Sequence, residues 1–537
     1  MARQITRTAL LRHLSAAAAL CLALAGPSAL AQKPGGILKM YSPDSPASMS
    51  IHEESTVFAE GPMMGVFNNL VIFDQHVPQN SLESILPDLA TSWSWNEEGT
   101  ALTFSLRQGV TWHDGKPFTA ADVKCTFELL QATAKDKLRG NPRKEWYNNV
   151  VDVTANGASE AVFHLERPQP ALVMLLASGY SPIYPCHVTP AQMRLHPIGT
   201  GPFKFVEYKQ NEHIKVVKNP DYWKPGRPYL DGIEYTIVPN VSTAILGFVA
   251  GQFDMTWPFS VTAPLLKDVN NQAPHAICRM ATNNGTSNLL LNRDKPPFDN
   301  PELRKALALT LDRKSFIDIL TEGQGKIGGA MLPPPEGLWG MPDEMLRQIP
   351  GYDPDVQKNR AEARAIMQKL GYGPDKKLEV KVSTRNVASF RNPAVILIDQ
   401  LKEVYVDAVL ETIESANWHS KVTRKDYSVA MNGTGGGVDD PDQQFYENYA
   451  CGSARNYSAY CNPELDKKFA EQSAMTDQDK RKKLVWEIDK KLQEDGARPI
   501  IFHNRQGTCW QPQVKGLTIM VNSIYNGYRM EDVWLDK

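Results

Sequence analysis

Apolar and polar positions alternate most clearly between residues 85 and 123. Trp93 and Trp95 flank Ser94, and Leu102, Phe104 and Leu106 interleave with Thr103, Ser105 and Arg107. A period of two marks a half-buried strand, so the stretch predicts two strands joined by a turn at 96–99, where Asn96 and Gly99 stand. His113, Asp114 and Gly115 close a second turn, Pro117 ends the extended part, and Thr119 is placed to cap a helix with Asp122 in its first turn. His113 beside Asp114 has the composition of an acid/base couple, but in a turn such a pair more often satisfies backbone groups.

The same reading along the chain predicts a strand over 37–41, a helix over 60–70 and a helix over 122–138 that carries Val123, Phe127 and Leu130 at helical spacing. A hairpin over 150–165 and a short apolar helix over 170–176 follow. Residues 243–250 read as a helix ended by Gly251, and 276–291 as a long alternating run. Beyond these, helices at 359–370, 393–404, 462–472 and 477–496 mix with strands at 378–383, 409–413 and 499–503. Strands alternating with helices predict α/β layering in this last third.

The 537 residues are too many for one core. A formal net charge of −2 leaves no basic stripe, which excludes nucleic acid as the natural partner. Arg3, Arg7 and Arg12 precede an apolar run over 14–25 and the small-residue site Ala29-Leu30-Ala31, the form of a cleavable secretory leader over 1–31. No later apolar run is long enough to span a bilayer, so no direct membrane insertion is expected and the mature chain is expected in the periplasm. Of the seven cysteines, Cys21 lies in the leader. The remaining even number, in an oxidising compartment, favours disulfides over zinc, since no paired Cys or His spacing supports a metal. Cys451 and Cys461 enclose a short polar loop and form the best candidate pair.

The wording of several blocks resembles the family 5 solute-binding proteins of bacterial ABC importers, the group with dipeptide-, oligopeptide- and nickel-binding members. The first block matches at Leu89, Ala90, Trp93, Phe104, Leu106, Arg107, Gly109, Trp112, Asp114, Gly115 and Asp122. A second, over 196–239, carries Gly199 and Gly201 in a segment similar to the family's P-x-G-T-G-P-Y/F; a third, over 296–313, carries Arg304, Ala306 and Asp312. Gly199 and Gly201 are expected at a tight crossing that needs positive φ, and Arg304 with Asp312 as a helix-surface and helix-end pair. The resemblance implies an α/β, two-lobed periplasmic-binding-protein fold with a hinge and an extra domain on the first lobe. It divides the chain into lobe I (32–66, 200–284, 503–537), the extra domain (67–199) and lobe II (285–502). In that layout Cys125 falls near Cys186, and Cys278 near Cys509.

The family encloses solute between its lobes and needs neither a catalytic residue nor a cofactor, and no nucleophile elbow or metal-binding helix stands in the chain. The expected function is therefore a receptor that delivers a peptide or peptide-like solute to a membrane permease. A non-peptide organic anion or aromatic compound is the alternative solute, and a periplasmic chaperone or hydrolase the outside alternative. In the dipeptide-binding relatives an aspartate three residues before D-P-D anchors the peptide ammonium; here that place is Gly437, and Asp439 or Asp440 is the candidate substitute. The glycine cluster over 433–437 is expected to line the cleft with backbone, Gly435 and Gly436 at positive φ. Arg385 and Arg391 are candidates to hold a carboxylate, Trp257 and Trp418 to supply apolar walls, and Tyr41 and Asn284 complete the candidate ligand set.

Overall fold

A computed structural model of the chain describes residues 32–537. The leader over 1–31 lies outside the described residues. The first lobe is built on a four-stranded sheet in the order Ile37–Ser42, Gly232–Ile237, His213–Lys218, Phe203–Lys209. Its first pair is parallel and the others antiparallel. Leu38, Met40, Ile214, Val216, Ile233 and Tyr235 are buried on it.

The 85–123 block folds as its alternation predicts. Ala90–Trp95, Ala101–Leu106, Glu160–Leu165 and Val150–Asn156 form a second, antiparallel sheet in that order. Asn96 accepts the backbone N–H groups of Thr100 and Ala101 at 2.8 Å, and Gly99 adopts φ +68, so the turn is held from within. Helix Ala120–Leu130 begins where Asp122 accepts the Thr119 N–H at 2.9 Å, and it lays Phe127 on Phe163 with ring centroids 4.6 Å apart. It ends at Leu130, eight residues earlier than its apolar pattern predicts, and Ala132 just beyond it adopts φ +61. Phe104, Phe127 and Phe163 belong to the same continuous apolar cluster as Leu38 and Tyr235, so this extra unit and the first lobe share one core.

The second lobe is a five-stranded sheet in the order Val406–Ile413, Leu378–Arg385, Val429–Gly435, Ile277–Leu291, Ile500–Trp510. The first three strands are parallel, and the last two join antiparallel. Helices Pro301–Leu309, Val356–Lys369 and Ala388–Lys402 cover it, giving the layered α/β lobe that the alternation predicts. Ile277–Leu291 and Ile500–Trp510 do more than complete this sheet. They run on toward the first lobe, where Met255 bridges to both Met40 and Trp510. Their pairing shifts register between Thr282 and Thr286, and the expected lobe boundaries at 284/285 and 502/503 fall inside these two unbroken strands.

All three disulfides pair as expected: Cys125–Cys186, Cys278–Cys509 and Cys451–Cys461. Other expectations change. The first helix is Val57–Met64 rather than 60–70, and carries Pro62 within it. The strand expected over 499–503 is the long Ile500–Trp510, whose polar stretch lies in the crossing between lobes. Arg304 and Asp312 do not meet: Arg304 is buried and donates to the Phe298 carbonyl at 2.7 Å, while Asp312 caps the next helix by accepting the Ser315 N–H at 3.0 Å. Gly199 and Gly201 do not adopt positive φ. They are glycines because a Cβ at either would lie within 2.5 Å of the Val66 backbone. His113 satisfies that crossing: Nδ1 accepts the Gly199 N–H at 3.2 Å, Nε2 bonds the Gly201 carbonyl at 3.1 Å, and burial lowers its pKa to about 4.

The C-terminal tail is fastened by a buried ion pair. Arg529 donates to Asp88 at 2.9 Å with both side chains fully buried, and Asn68 and the Asn69 N–H also bond Asp88. Burial opposes ionisation of Asp88, but Arg529 and Lys224 outweigh it and hold the carboxyl below its ordinary range. A depressed folded pKa contributes stability that is full above the unfolded carboxylate value of about 3.9 and is lost as pH falls through the folded value. Asp88→Asn strands the Arg529 charge, so it is expected to cost about 3–5 kcal/mol in urea unfolding at neutral pH. The loss should shrink as the pH is taken below about 4, and a change under about 1 kcal/mol at neutral pH would contradict the role of the pair.

Candidate functional site

Between the lobes lies a cavity of about 440 Å³. The second lobe reaches it with the carboxyl ends of two parallel strands, Leu378–Arg385 and Val429–Gly435, the edge at which α/β sheets bind ligands. The first strand delivers Arg385, and the helix that follows brings Phe390. The first lobe contributes Phe58, Trp257 and Phe259, the crossing strands contribute Asn283, Asn504 and Gln506, and the tail contributes Tyr525.

Arg385 is held on three sides. Its Nε donates to Ser415 Oγ at 2.8 Å, Nη2 lies 3.7 Å from the Asp44 carboxylate, and the guanidinium sits 4.6 Å over the Phe390 ring and 5.3 Å from Phe58. Burial raises the Asp44 pKa, and the charge of Arg385 opposes that rise. Two further groups line the cavity that the sequence did not single out. Arg455 pairs with Glu447 at 2.5 Å, and His419 Nδ1 meets the Tyr457 hydroxyl at 3.2 Å. Burial, reinforced by Arg385, Arg455 and Arg143, drives the His419 pKa well below its usual value, so the ring is neutral.

Of the expected ligand residues, Arg385, Trp257 and Gly435 line the cavity. Tyr41 stands behind the wall, its hydroxyl 2.6 Å from Ser260 Oγ, which does line it. Trp418 is fully buried in the second lobe with Leu290, Val422 and Ala430, so it is core and not wall. Arg391 is exposed on its helix. Asn284 serves the backbone, donating to the Val438 carbonyl at 3.0 Å and accepting the Gly436 N–H on its own carbonyl at 2.7 Å.

The glycine cluster is a correction in itself. Residues 429–435 are strand, and none of the glycines from 433 to 437 has positive φ. Each is a glycine because of a close neighbour: an added Cβ would sit 2.5 Å from the Phe390 ring at Gly433, 1.4 Å from the Tyr525 hydroxyl at Gly435, 2.5 Å from Asn284 Nδ2 at Gly436 and 2.8 Å from Ser178 Oγ at Gly437. Gly433 and Gly435 thus seat the aromatic wall of the cavity, while Gly436 and Gly437 make room for Asn284 and Ser178. Neither acid that follows faces it. Asp439 accepts the Leu338 N–H at 2.9 Å, and Asp440 takes both Nη groups of Arg481 at 2.8 and 2.7 Å. Among the described residues, no group of three or more His, Cys, Asp and Glu side chains is positioned to hold a metal ion.

Two α/β lobes joined by paired strands, with a cavity walled by both, define a two-lobed solute-binding protein. The family model of bacterial extracellular solute-binding proteins, family 5, matches residues 84–456. The chain belongs to that family. It is 25% identical over 531 residues to the probable di/tripeptide-binding protein 5 of Pseudomonas aeruginosa, covering 93% of this chain and 95% of that protein. Its fold is similar to that of the oligopeptide-binding protein AppA of Bacillus subtilis in complex with a nonapeptide, with TM-score 0.82 and 23% identity over 94% of this chain and 100% of that one. It is also similar to the binding protein AgaA of A. tumefaciens in complex with agropinic acid, with TM-score 0.79 and 22% identity over 94% and 99%.

Gly435 and Gly436 stand side by side but separate affinity from stability. Gly435→Ala forces Tyr525 off the cavity wall, so it is expected to weaken solute binding at least about tenfold, by roughly 1.4 kcal/mol. Gly436→Val drives a side chain into Asn284 and Gln444 instead, and should cost about 1–3 kcal/mol of stability by overpacking. Calorimetric affinity and the unliganded thermal midpoint, measured on both variants, check this. Equal effects of the two on affinity would contradict it.

Proposed function

We propose that this chain is the solute receptor of an ABC importer, enclosing a peptide or peptide-like organic solute between its lobes and delivering it to a membrane permease. The observation that carries the reading is the cavity of about 440 Å³ with walls from both lobes, a volume in the range for small solutes. The di/tripeptide-binding name of the Pseudomonas relative and the peptide held by the Bacillus protein support it. In this reading the leader over 1–31 is cleaved and the receptor works in the periplasm. No helix among the described residues is long and apolar enough to cross a membrane. Residues 32–66, 200–284 and 503–537 act as one lobe, 285–502 as the other, and 67–199 as the extra domain. The agropinic acid complex favours a second solute class, a non-peptide organic anion.

Binding here is recognition without turnover. Solute favours the closed form only by its differential affinity, and inverting a 1:99 population takes about 5.5 kcal/mol of that difference. The closed form has contacts of its own. Trp146 Nε1 donates to Glu447 at 2.8 Å, Gln169 Nε2 to Asp442 at 2.9 Å and Arg167 Nη2 to the Tyr446 hydroxyl at 3.0 Å, all from the extra unit to helix Pro441–Asn448 of the second lobe. Asn526 Nδ2 adds a bond to the Gly437 carbonyl at 2.5 Å.

Native mass spectrometry of the purified protein tests the reading: a retained small solute, released on unfolding and unchanged on prolonged incubation, is the expected result. A released product formed with turnover would favour the hydrolase alternative. The cross-lobe contacts yield a second expectation. Gln169→Ala with Arg167→Ala removes two of these cross-lobe bonds, so apparent affinity should fall about tenfold as the competent population drops. Unchanged affinity would mean that these contacts persist in the open form.

A further inference from the structure

The cavity has a one-sided charge pattern. Among the described residues, no Asp, Glu or Lys lines it, whereas Arg385, Arg455 and His419 do. Each of these three carries a buried nitrogen without a hydrogen-bond partner: Arg385 Nη2, Arg455 Nε and His419 Nε2. Both arginines are more than nine-tenths buried. Their counter-ions stand to one side, Asp44 at 3.7 Å from Arg385 and Glu447 on the Nη1 of Arg455. His419 uses Nδ1 for Tyr457 and is neutral, so when Tyr457 donates to Nδ1 its Nε2 carries the proton and is a donor too. A buried donor without an acceptor destabilises the site, and an anionic solute is the class of ligand that supplies acceptors.

An ammonium group has no such welcome. The acids nearest in sequence to the cavity strand are committed elsewhere, Asp439 to the Leu338 N–H and Asp440 to Arg481. Glu60 is fully buried and lies within 2.1 Å of where a Cβ on Gly179 would stand, off the cavity lining. Gly437 has Ser178 against its α-carbon and Asn526 on its carbonyl. A solute cation therefore meets two guanidinium groups on the wall, while the carboxylates paired with them, Asp44 and Glu447, stand off the lining. The rest of the lining is uncharged, with Phe58, Trp257, Phe259 and Phe390 as its aromatic part and Asn283, Asn504 and Gln506 among its polar part.

We propose that the solute is an organic acid without a free ammonium group, its acidic groups held by Arg385 and Arg455 and its apolar body by Phe58, Trp257 and Phe390. Within the peptide-like class this is a peptide whose amino end is blocked. The inference rests on the receptor reading above and goes further by naming the class of solute.

Two pooled dipeptide libraries test it, one N-acetylated and one with free amines, both with free carboxylates. Each is offered to the refolded, solute-free protein, and what it retains is read by mass spectrometry. Retention from the acetylated pool, at least about tenfold over the free-amine pool, is expected. Converting the carboxylates of the retained peptide to amides should abolish binding. Arg385→Gln should weaken it by about 10- to 100-fold, with Arg385→Lys between the two and the unliganded thermal midpoint little changed in the Lys variant. Preference for the free-amine pool would overturn the inference and leave the receptor standing. Retention from neither pool would overturn the peptide reading, and the inference with it.

Discussion

The structure depends on one pair of strands. Ile277–Leu291 and Ile500–Trp510 are the last two strands of the second lobe's sheet at one end and reach the first lobe through Met255 at the other. Backbone ladders of this kind are stiff along their length, and the register shifts between Thr282 and Thr286 and between Ser287 and Asn288 are the irregularities at which such a pair bends without losing pairing on either side. Cys278–Cys509 ties the first-lobe end, and the Asn288–Ile500 pairing holds the second-lobe end. Polar side chains from the middle of the crossing, Asn283, Asn504 and Gln506, line the cavity, so a solute touches the part that bends. That contact couples occupancy to the angle between the lobes.

The site grows out of the same architecture. Parallel strands place their carboxyl ends toward the cleft, and a short turn into helix Ala388–Lys402 sets Arg385 and Phe390 side by side. Glycines at 433 and 435 leave room for Phe390 and Tyr525, so the wall is aromatic where the strand itself is bare. The acids of the neighbouring segment are spent on structure: Asp440 and Asp442 hold Arg481, and Asp442 also receives Gln472, Ser473 and Gln169. What remains on the cavity surface is cationic, neutral polar and apolar, and among the described residues no carboxylate lines it.

Local signals were readable in the sequence, and long-range ones were not. Residues 85–123 read correctly because alternation, an Asn turn and a capping pair act within a few residues of one another. The short loop between Cys451 and Cys461 was legible for the same reason. The glycine cluster misled, since a run of glycines serves positive φ and close packing equally well, and only the positions of Tyr525, Asn284 and Ser178 tell them apart. Trp418 and Asp440 looked like site residues by type, but burial in the second-lobe core claimed one and Arg481 the other. Arg455, His419 and Tyr525 carried no local signal at all. They reach the cavity only once distant segments have folded around it.

Distance across the cleft tests the central claim most directly. With spin labels on Lys135→Cys in the extra unit and Lys483→Cys in the second lobe, both exposed positions, pulsed dipolar spectroscopy reads the separation of the lobes. The account expects a broad, longer distribution without solute that collapses to one shorter distance when the retained solute is added back. A single distance that does not respond to solute would contradict closure about the paired strands.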